Sequence, residues 1–166
     1  MRALLALLMT ALPAAAFEFE AIDGGTIDLD DLRGRAVLVV NTASLCAFTG
    51  QYADLQTLQD RYGRAGLTVI AVPSNDFRQE LDTEDEVARF CEVTYDLTLP
   101  LTSITQVTGA DAHPFYRWLA TTHGRTPRWN FNKALLGPDG ALVAFEGSGI
   151  GPLSPRFVAV VEGALP

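Results

Sequence analysis

Two cysteines, Cys46 and Cys91, carry the most reactive side chains in this chain of 166 residues. Cys46 follows the apolar run 37–40, where a buried strand is expected to end and a helix to begin. Unpaired backbone N–H groups and the positive end of a helix dipole at such a junction favour thiolate over thiol. Because the thiolate is the nucleophile, Cys46 is the candidate catalytic residue.

Cys91 allows more than one interpretation. It falls on the apolar face of a predicted helix together with Val87 and Phe90, which is typical of a buried, inert thiol. It is also the only other thiol that could pair with Cys46, either in a redox cycle or in a permanent disulfide. The sequence contains no Cys-x-x-Cys, and nothing pairs His113 with His123 as ligands, so we expect no metal site.

Composition restricts the functional class. A length of 166 residues, with 48% apolar and 19% charged residues, predicts one globular domain. The net charge of -8 is expected to repel nucleic acids and anionic membranes.

The first sixteen residues have the pattern of a secretory signal peptide. Arg2 is followed by the apolar stretch 3–12, then by Pro13 and the small residues 14–16. We therefore predict a signal peptide over 1–16 and a mature domain over 17–166. The protein would be periplasmic in a Gram-negative bacterium and secreted otherwise, with no stable membrane association after cleavage.

The elements that must position Cys46 form an alternating α/β pattern. The apolar runs 37–40 and 67–72 predict two buried strands. The apolar residues between them repeat at helical spacing, so a helix is expected to connect the strands, which indicates parallel pairing in a covered sheet. Asp23-Gly24-Gly25 predicts an N-terminal β-hairpin, Thr49 is a candidate helix cap, and Thr83 with Glu86 predicts a capping box. The predicted strands cover 17–22, 26–29, 37–40, 67–72, 133–136 and 141–145. This is the plan of a thioredoxin-like fold, a mixed central sheet flanked by helices.

Three segments carry a resemblance to a known family. They are 41–49 around Cys46, 72–80, and Trp129-Asn130-Phe131 followed by Lys133. In this order and spacing the sequence resembles the glutathione peroxidase family, from about Phe17 to the C-terminus. The resemblance implies that Cys46 is the peroxidatic residue.

The same resemblance implies roles for other residues. Gln79, Trp129 and Asn130 would be the catalytic neighbours of Cys46, and Cys91 would be the resolving cysteine. It implies no bound cofactor, a peroxide substrate, and an external thiol reductant, either glutathione or a thioredoxin-like protein. The amide and indole N–H groups are uncharged donors that favour the thiolate and stabilise the charge that develops on peroxide oxygen.

The sequence departs from the family pattern at several positions. Ser74 replaces a cysteine, which leaves Cys91 alone for resolution, and Asp76 introduces a carboxylate that would disfavour the thiolate if it faced Cys46. The loop to Gln79 is one residue shorter than usual. The segment between Leu119 and Trp129 is also short, so we expect a monomer.

Three functions are compatible with these residues. The first is an exported thiol peroxidase acting on hydrogen peroxide or organic hydroperoxides. The second is a thiol–disulfide oxidoreductase or redox sensor on the same fold. The third is a non-enzymatic domain stapled by a permanent disulfide.

Overall fold

The computed structural model describes residues 17–166, and the predicted signal peptide lies outside the described residues. Within this part of the chain, no helix is long and apolar enough to cross a bilayer. In chain order the elements are β1 (Glu18–Glu20), β2 (Thr26–Asp28), β3 (Ala36–Thr42), α1 (Gln51–Tyr62), a 3₁₀ turn (Gly63–Ala65), β4 (Leu67–Pro73), α2 (Glu84–Tyr95), α3 (Pro114–His123), β5 (Lys133–Leu136), β6 (Leu142–Glu146) and α4 (Pro155–Ala164).

The central sheet is mixed, with the strand order β4-β3-β5-β6. β3 and β4 are parallel, whereas β5 is antiparallel to both β3 and β6. β1 and β2 pair separately as an antiparallel hairpin. The predicted α/β fold, with its mixed sheet, N-terminal hairpin and closing hairpin, is therefore confirmed.

The central strand β3 is buried on both faces, as its continuous apolar run predicts. Because side chains alternate along a strand, Leu38 and Val40 pack in the cluster that holds the buried faces of α1, α2 and α4. Val37 and Val39 belong to the opposite cluster, with β1 and α3. The helices thus cover the sheet on both sides and fix β3 between them.

This topology brings the three family segments to one edge of the sheet. The carboxyl ends of the parallel strands β3 and β4 lie side by side, with Thr42 paired with Pro73. β5 runs the other way, so its first residue, Lys133, pairs with Val40 at the same edge. The segments that follow β3, follow β4 and precede β5 therefore meet there.

Lys133, the only lysine in the chain, is fully buried at this edge. Its Nζ donates a hydrogen bond of 2.7 Å to the backbone oxygen of Phe131. Burial lowers the pKa of Lys133 to about 8, although the carboxylates of Glu146 and Asp54 oppose that shift. Phe131 has a positive φ of 62°, which is unfavourable for an aromatic residue, so this bond holds a strained turn.

We predict a pH-dependent stability that originates at Lys133. Since its pKa lies below its ordinary value of 10.5, the folded state binds fewer protons than the unfolded state between pH 8 and 10.5, and stability rises with pH across that window. The rise amounts to about 3 kcal/mol at most. Lys133→Met should remove it. The measurement is urea denaturation of both proteins from pH 7 to 10.

The quantity to compare is the difference in unfolding free energy between wild type and variant. The ionisations of tyrosines and Cys91 are common to both proteins and largely cancel in it. A difference that stays constant from pH 7 to 10 would contradict the prediction.

Candidate active site

Cys46 lies in a tight turn between the end of β3 and the start of α1. Its backbone N–H donates to the Thr49 hydroxyl at 3.0 Å, and its Sγ accepts a bond from the Phe48 N–H at 3.4 Å. Only 8% of Cys46 is exposed. The sulfur is thus held against a backbone N–H donor within the turn.

The expectation that Thr49 caps the helix is wrong. The N-cap residue of α1 is Gly50, which makes no side-chain bond to the helix. The Thr49 hydroxyl instead closes the nucleophile turn, where it lies 2.7 Å from the Cys46 carbonyl oxygen and 2.9 Å from that of Ala43. The strand-to-helix placement of Cys46 is correct, but its nearest donor is the turn itself rather than the helix start.

Gln79 lies directly beside the nucleophile turn. Its backbone oxygen accepts a bond of 2.9 Å from the Leu45 N–H, one residue before Cys46. Its side-chain Oε1 accepts a bond of 3.0 Å from Nδ2 of Asn130. The loop that carries Gln79 is short and strained, since Arg78 has a positive φ of 57°.

The turn that carries Trp129 and Asn130 is tied to β3 by Asn41. The Asn41 side chain donates to the Trp129 backbone oxygen at 3.0 Å and accepts from the Asn132 N–H at 3.0 Å. Asn130 is fully buried, and its Oδ1 has no hydrogen-bond partner. These bonds fix the turn at the sheet edge that also holds Cys46.

Trp129 is the exposed member of this group, with 41% of its surface accessible. Its ring lies against Phe77, with centroids 5.5 Å apart. Leu45, next to Cys46, is 61% exposed. We call these three residues, Leu45, Phe77 and Trp129, the apolar collar.

The structure therefore brings Gln79 and Asn130 into direct contact and places Gln79 against the residue preceding Cys46. Trp129 adjoins Asn130 in sequence and packs on the loop that carries Gln79. The assignment of these residues as catalytic neighbours of Cys46 stays a prediction.

Cys91 is fully buried in α2 and is a free thiol, as is Cys46. Burial raises the pKa of Cys91 to about 11, and the charge of Glu80 adds to the shift. The thiol is therefore protonated at neutral pH. The capping box predicted for this helix is present, with Thr83 and Glu86 bonding reciprocally.

Asp76, the carboxylate by which this loop departs from the family pattern, is hydrogen-bonded to the chain segment at 107–108. Its Oδ2 accepts bonds from the backbone N–H groups of Val107 and Thr108, at 2.8 and 2.7 Å, and from the Thr108 hydroxyl at 2.9 Å. It anchors the chain segment before α3, so its charge is satisfied by these donors.

One buried carboxylate was not predicted to be at the site. Glu80 is 5% exposed, and its Oε1 accepts bonds of 2.9 Å from the backbone N–H groups of Ser44 and Leu81. Burial raises the pKa of this carboxyl group, although bonds from Ser44 and Leu81 oppose the shift. A glutamate in a polar loop is normally exposed, so nothing in the sequence pattern distinguished it.

The other charged candidates lie at the surface. Arg78, Arg125 and Arg128, which could form a rim for a carboxylate-bearing thiol, are all exposed. Across residues 17–166 the structure contains no group of three or more histidine, cysteine or acidic side chains arranged to hold a metal ion.

The sequence is similar to known peroxidases. The glutathione peroxidase family model matches residues 15–120. The chain is 38% identical over 143 residues to the hydroperoxy fatty acid reductase gpx1 of Synechocystis, covering 80% of this chain and 85% of the relative. It is 43% identical over 131 residues to human glutathione peroxidase 7, covering 76% of this chain and 70% of the relative.

A solved structure supports the fold. The thiol:disulfide interchange protein of the thioredoxin family from Chlorobium tepidum superposes with a TM-score of 0.69 at 18% identity, covering 93% of this chain and 96% of that one. At this identity the likeness concerns the thioredoxin-like fold alone. From the family match, the curated relatives and the fold together, the chain belongs to the glutathione peroxidase family and is an oxidoreductase of the peroxidase type.

Proposed function

We propose that Cys46 reduces hydrogen peroxide or an organic hydroperoxide and is regenerated by an external thiol. The observation that carries the proposal is the contact between the nucleophile turn and the 75–80 loop. Leu45 bonds to the backbone of Gln79, whose side chain bonds to Asn130, and the adjacent Cys46 sulfur accepts a backbone N–H. These contacts support a role for the uncharged amides as donors to the reacting sulfur and peroxide.

The first step is a two-electron transfer from sulfur to oxygen. The Cys46 thiolate attacks the terminal peroxide oxygen, an S–O bond forms, and the O–O bond breaks. The departing oxygen takes a proton and leaves as water or an alcohol. Cys46 becomes a sulfenic acid, the form that condenses readily with a second thiol.

The fixed amides supply the electrostatic part of catalysis. Because Gln79 accepts a bond from Asn130 through Oε1, its Nε2 group remains available as a donor. The indole N–H of Trp129 is a second uncharged donor. Donors held in place before reaction stabilise the charge on the departing oxygen without reorganisation.

The apolar collar supports organic hydroperoxides as substrates. Leu45, which precedes Cys46, and Trp129, which lies against Phe77, present accessible apolar surface. Such a surface suits an alkyl chain better than a small polar peroxide. The name of the Synechocystis relative, a hydroperoxy fatty acid reductase, is consistent with this substrate class.

Cys91 would resolve the sulfenic acid, and the resulting disulfide would be opened by a dithiol protein of the thioredoxin type. A thiol that is fully buried within α2 must leave its helix before it can meet Cys46 with disulfide geometry.

We also propose that the chain acts outside the cytoplasm as a monomer, after cleavage before Phe17. Intact-mass measurement of the protein recovered from the cell envelope or medium tests the cleavage.

Mass spectrometry after one equivalent of peroxide tests the cycle. Wild type should form an intramolecular Cys46–Cys91 disulfide, whereas Cys91→Ser should accumulate sulfenic acid at Cys46. If neither the disulfide nor the sulfenic acid formed in either protein, the peroxidase function would be contradicted. Sulfenic acid in wild type, without a disulfide, would contradict only the resolving role of Cys91.

Substitution of Asn130 tests the amide pair. Asn130→Ala removes the bond that orients Gln79, so the rate of Cys46 oxidation by hydrogen peroxide should fall about 10- to 100-fold. Asn132→Ala, in the same turn but bonded to the Trp129 backbone and Ser148, is the matched control. Equal effects of the two substitutions would indicate damage to the turn rather than loss of a specific donor.

The collar predicts a change in substrate preference. Leu45→Asn should lower kcat/KM for an aromatic hydroperoxide about 3- to 10-fold relative to hydrogen peroxide, because one apolar contact is removed. Val143→Asn, an exposed site on β6, is the control and should leave the ratio unchanged. An unchanged ratio for Leu45→Asn would show that the collar does not select substrate.

A further inference from the structure

A cluster of buried polar side chains lies beneath the nucleophile turn. Four of its oxygens have no hydrogen-bond partner of normal geometry. Each belongs to a side chain that is at most 5% exposed. They are Oγ1 of Thr42, Oγ of Ser44, the Tyr52 hydroxyl and Oε2 of Glu80.

Cys91 packs with Tyr52 and Cys46 in one buried cluster of the core, so it adjoins these polar groups. The Tyr52 hydroxyl neighbours the Cys91 thiol and the Thr42 hydroxyl, and the charge of Glu80 acts on both Tyr52 and Cys91. Tyr52 comes from α1, Cys91 from α2 and Glu80 from the 75–80 loop. Tyr52 and Glu80 are the titratable side chains that act on the Cys91 thiol within the described part of the chain.

Glu80 connects this cluster to the nucleophile. Its Oε1 is held by the backbone N–H of Ser44, two residues before Cys46, while its Oε2 is unpartnered. A buried carboxylate that has one oxygen fixed and the other without a hydrogen bond of normal geometry lowers the cost of its burial by taking a proton. The glutamate is therefore a good proton acceptor at the turn that the Cys91 thiol has to reach.

We propose that Glu80 is the proton acceptor for Cys91 in the resolving step. The inference rests on the proposed function, in which Cys91 resolves Cys46. No residue assigned above accounts for the proton of the buried thiol.

The step balances without a further reagent. The Cys91 thiol transfers its proton to the Glu80 carboxylate as α2 opens, and the thiolate attacks the sulfur of the Cys46 sulfenic acid. The S–S bond forms as the S–O bond breaks. The leaving hydroxide takes the proton back from Glu80 and departs as water. The two electrons were already removed from Cys46 by the peroxide.

Resolution can be measured separately from peroxide reduction. The protein is oxidised with one equivalent of hydrogen peroxide, and conversion of sulfenic acid to disulfide is followed by rapid quenching and mass spectrometry. Glu80→Gln keeps an acceptor oxygen for the Ser44 and Leu81 N–H groups but cannot take a proton. Because the measured rate is that of conversion of sulfenic acid to disulfide, an effect of the substitution on the reaction of Cys46 with peroxide does not change it.

Wild type should resolve at a rate that falls as Glu80 becomes protonated at low pH and reaches a plateau once Glu80 is ionised; because burial raises the pKa of this carboxyl group, the fall should begin at a higher pH than for an exposed glutamate. Glu80→Gln should be slower by about tenfold or more at pH 7, with a rate that rises with pH as hydroxide replaces the lost acceptor. Asp76→Asn, a carboxylate of the same loop bonded to Val107 and Thr108, should follow the wild-type profile.

Two results would overturn the proposal. One is a Glu80→Gln protein that resolves at the wild-type rate with the wild-type pH profile. The other, which needs no variant and holds even if Glu80→Gln folds poorly, is a wild-type rate that rises about tenfold per pH unit from acid to alkaline pH without reaching a plateau. Absence of any Cys46–Cys91 disulfide in wild type would instead refute the proposed function on which the inference rests.

Discussion

The hydrogen bonds between the nucleophile turn and the 75–80 loop are the constraint on which the site depends. Leu45 donates to the Gln79 backbone and Ser44 donates to the Glu80 carboxylate, so two successive residues before Cys46 are bound to two successive residues of the loop. Parallel pairing of β3 and β4 places both segments at one sheet edge. If this contact were lost, Gln79 would no longer be held in a fixed orientation relative to the sulfur, even though the side chain itself was unchanged.

The same contact separates two electrostatic environments. On one side, Leu45 of the nucleophile turn bonds to Gln79, whose uncharged amide is bonded to Asn130, and Trp129 follows as the exposed neighbour of Asn130. On the core side lies a carboxylate in a cluster of unpartnered hydroxyl groups, beside a second thiol that burial keeps protonated. A resolving thiol has to stay unreactive until peroxide arrives, and the burial that raises the pKa of Cys91 favours its protonated form.

Much of the architecture could be predicted from the sequence because its signals are local. The apolar run at 37–40 indicates a doubly buried strand, and Thr83 with Glu86 caps α2 as the pattern requires. The prediction that Thr49 caps a helix is wrong, because a hydroxyl near a helix start can bond either to the helix or to the preceding turn. The orientation of Asp76 and the burial of Glu80 could not be read from sequence. Both depend on backbone N–H groups that only the folded chain brings near them.

We infer that the surroundings of Cys46, rather than the mere presence of a thiol, make the chain a peroxidase. The most direct measurement is the second-order rate constant for oxidation by hydrogen peroxide of the Cys91→Ser protein, compared before and after unfolding in urea at the same pH. We expect folding to accelerate the oxidation of Cys46 by about 10²-fold or more, since that is the scale on which fixed hydrogen-bond donors act. Equal rates in the folded and unfolded chain would contradict it.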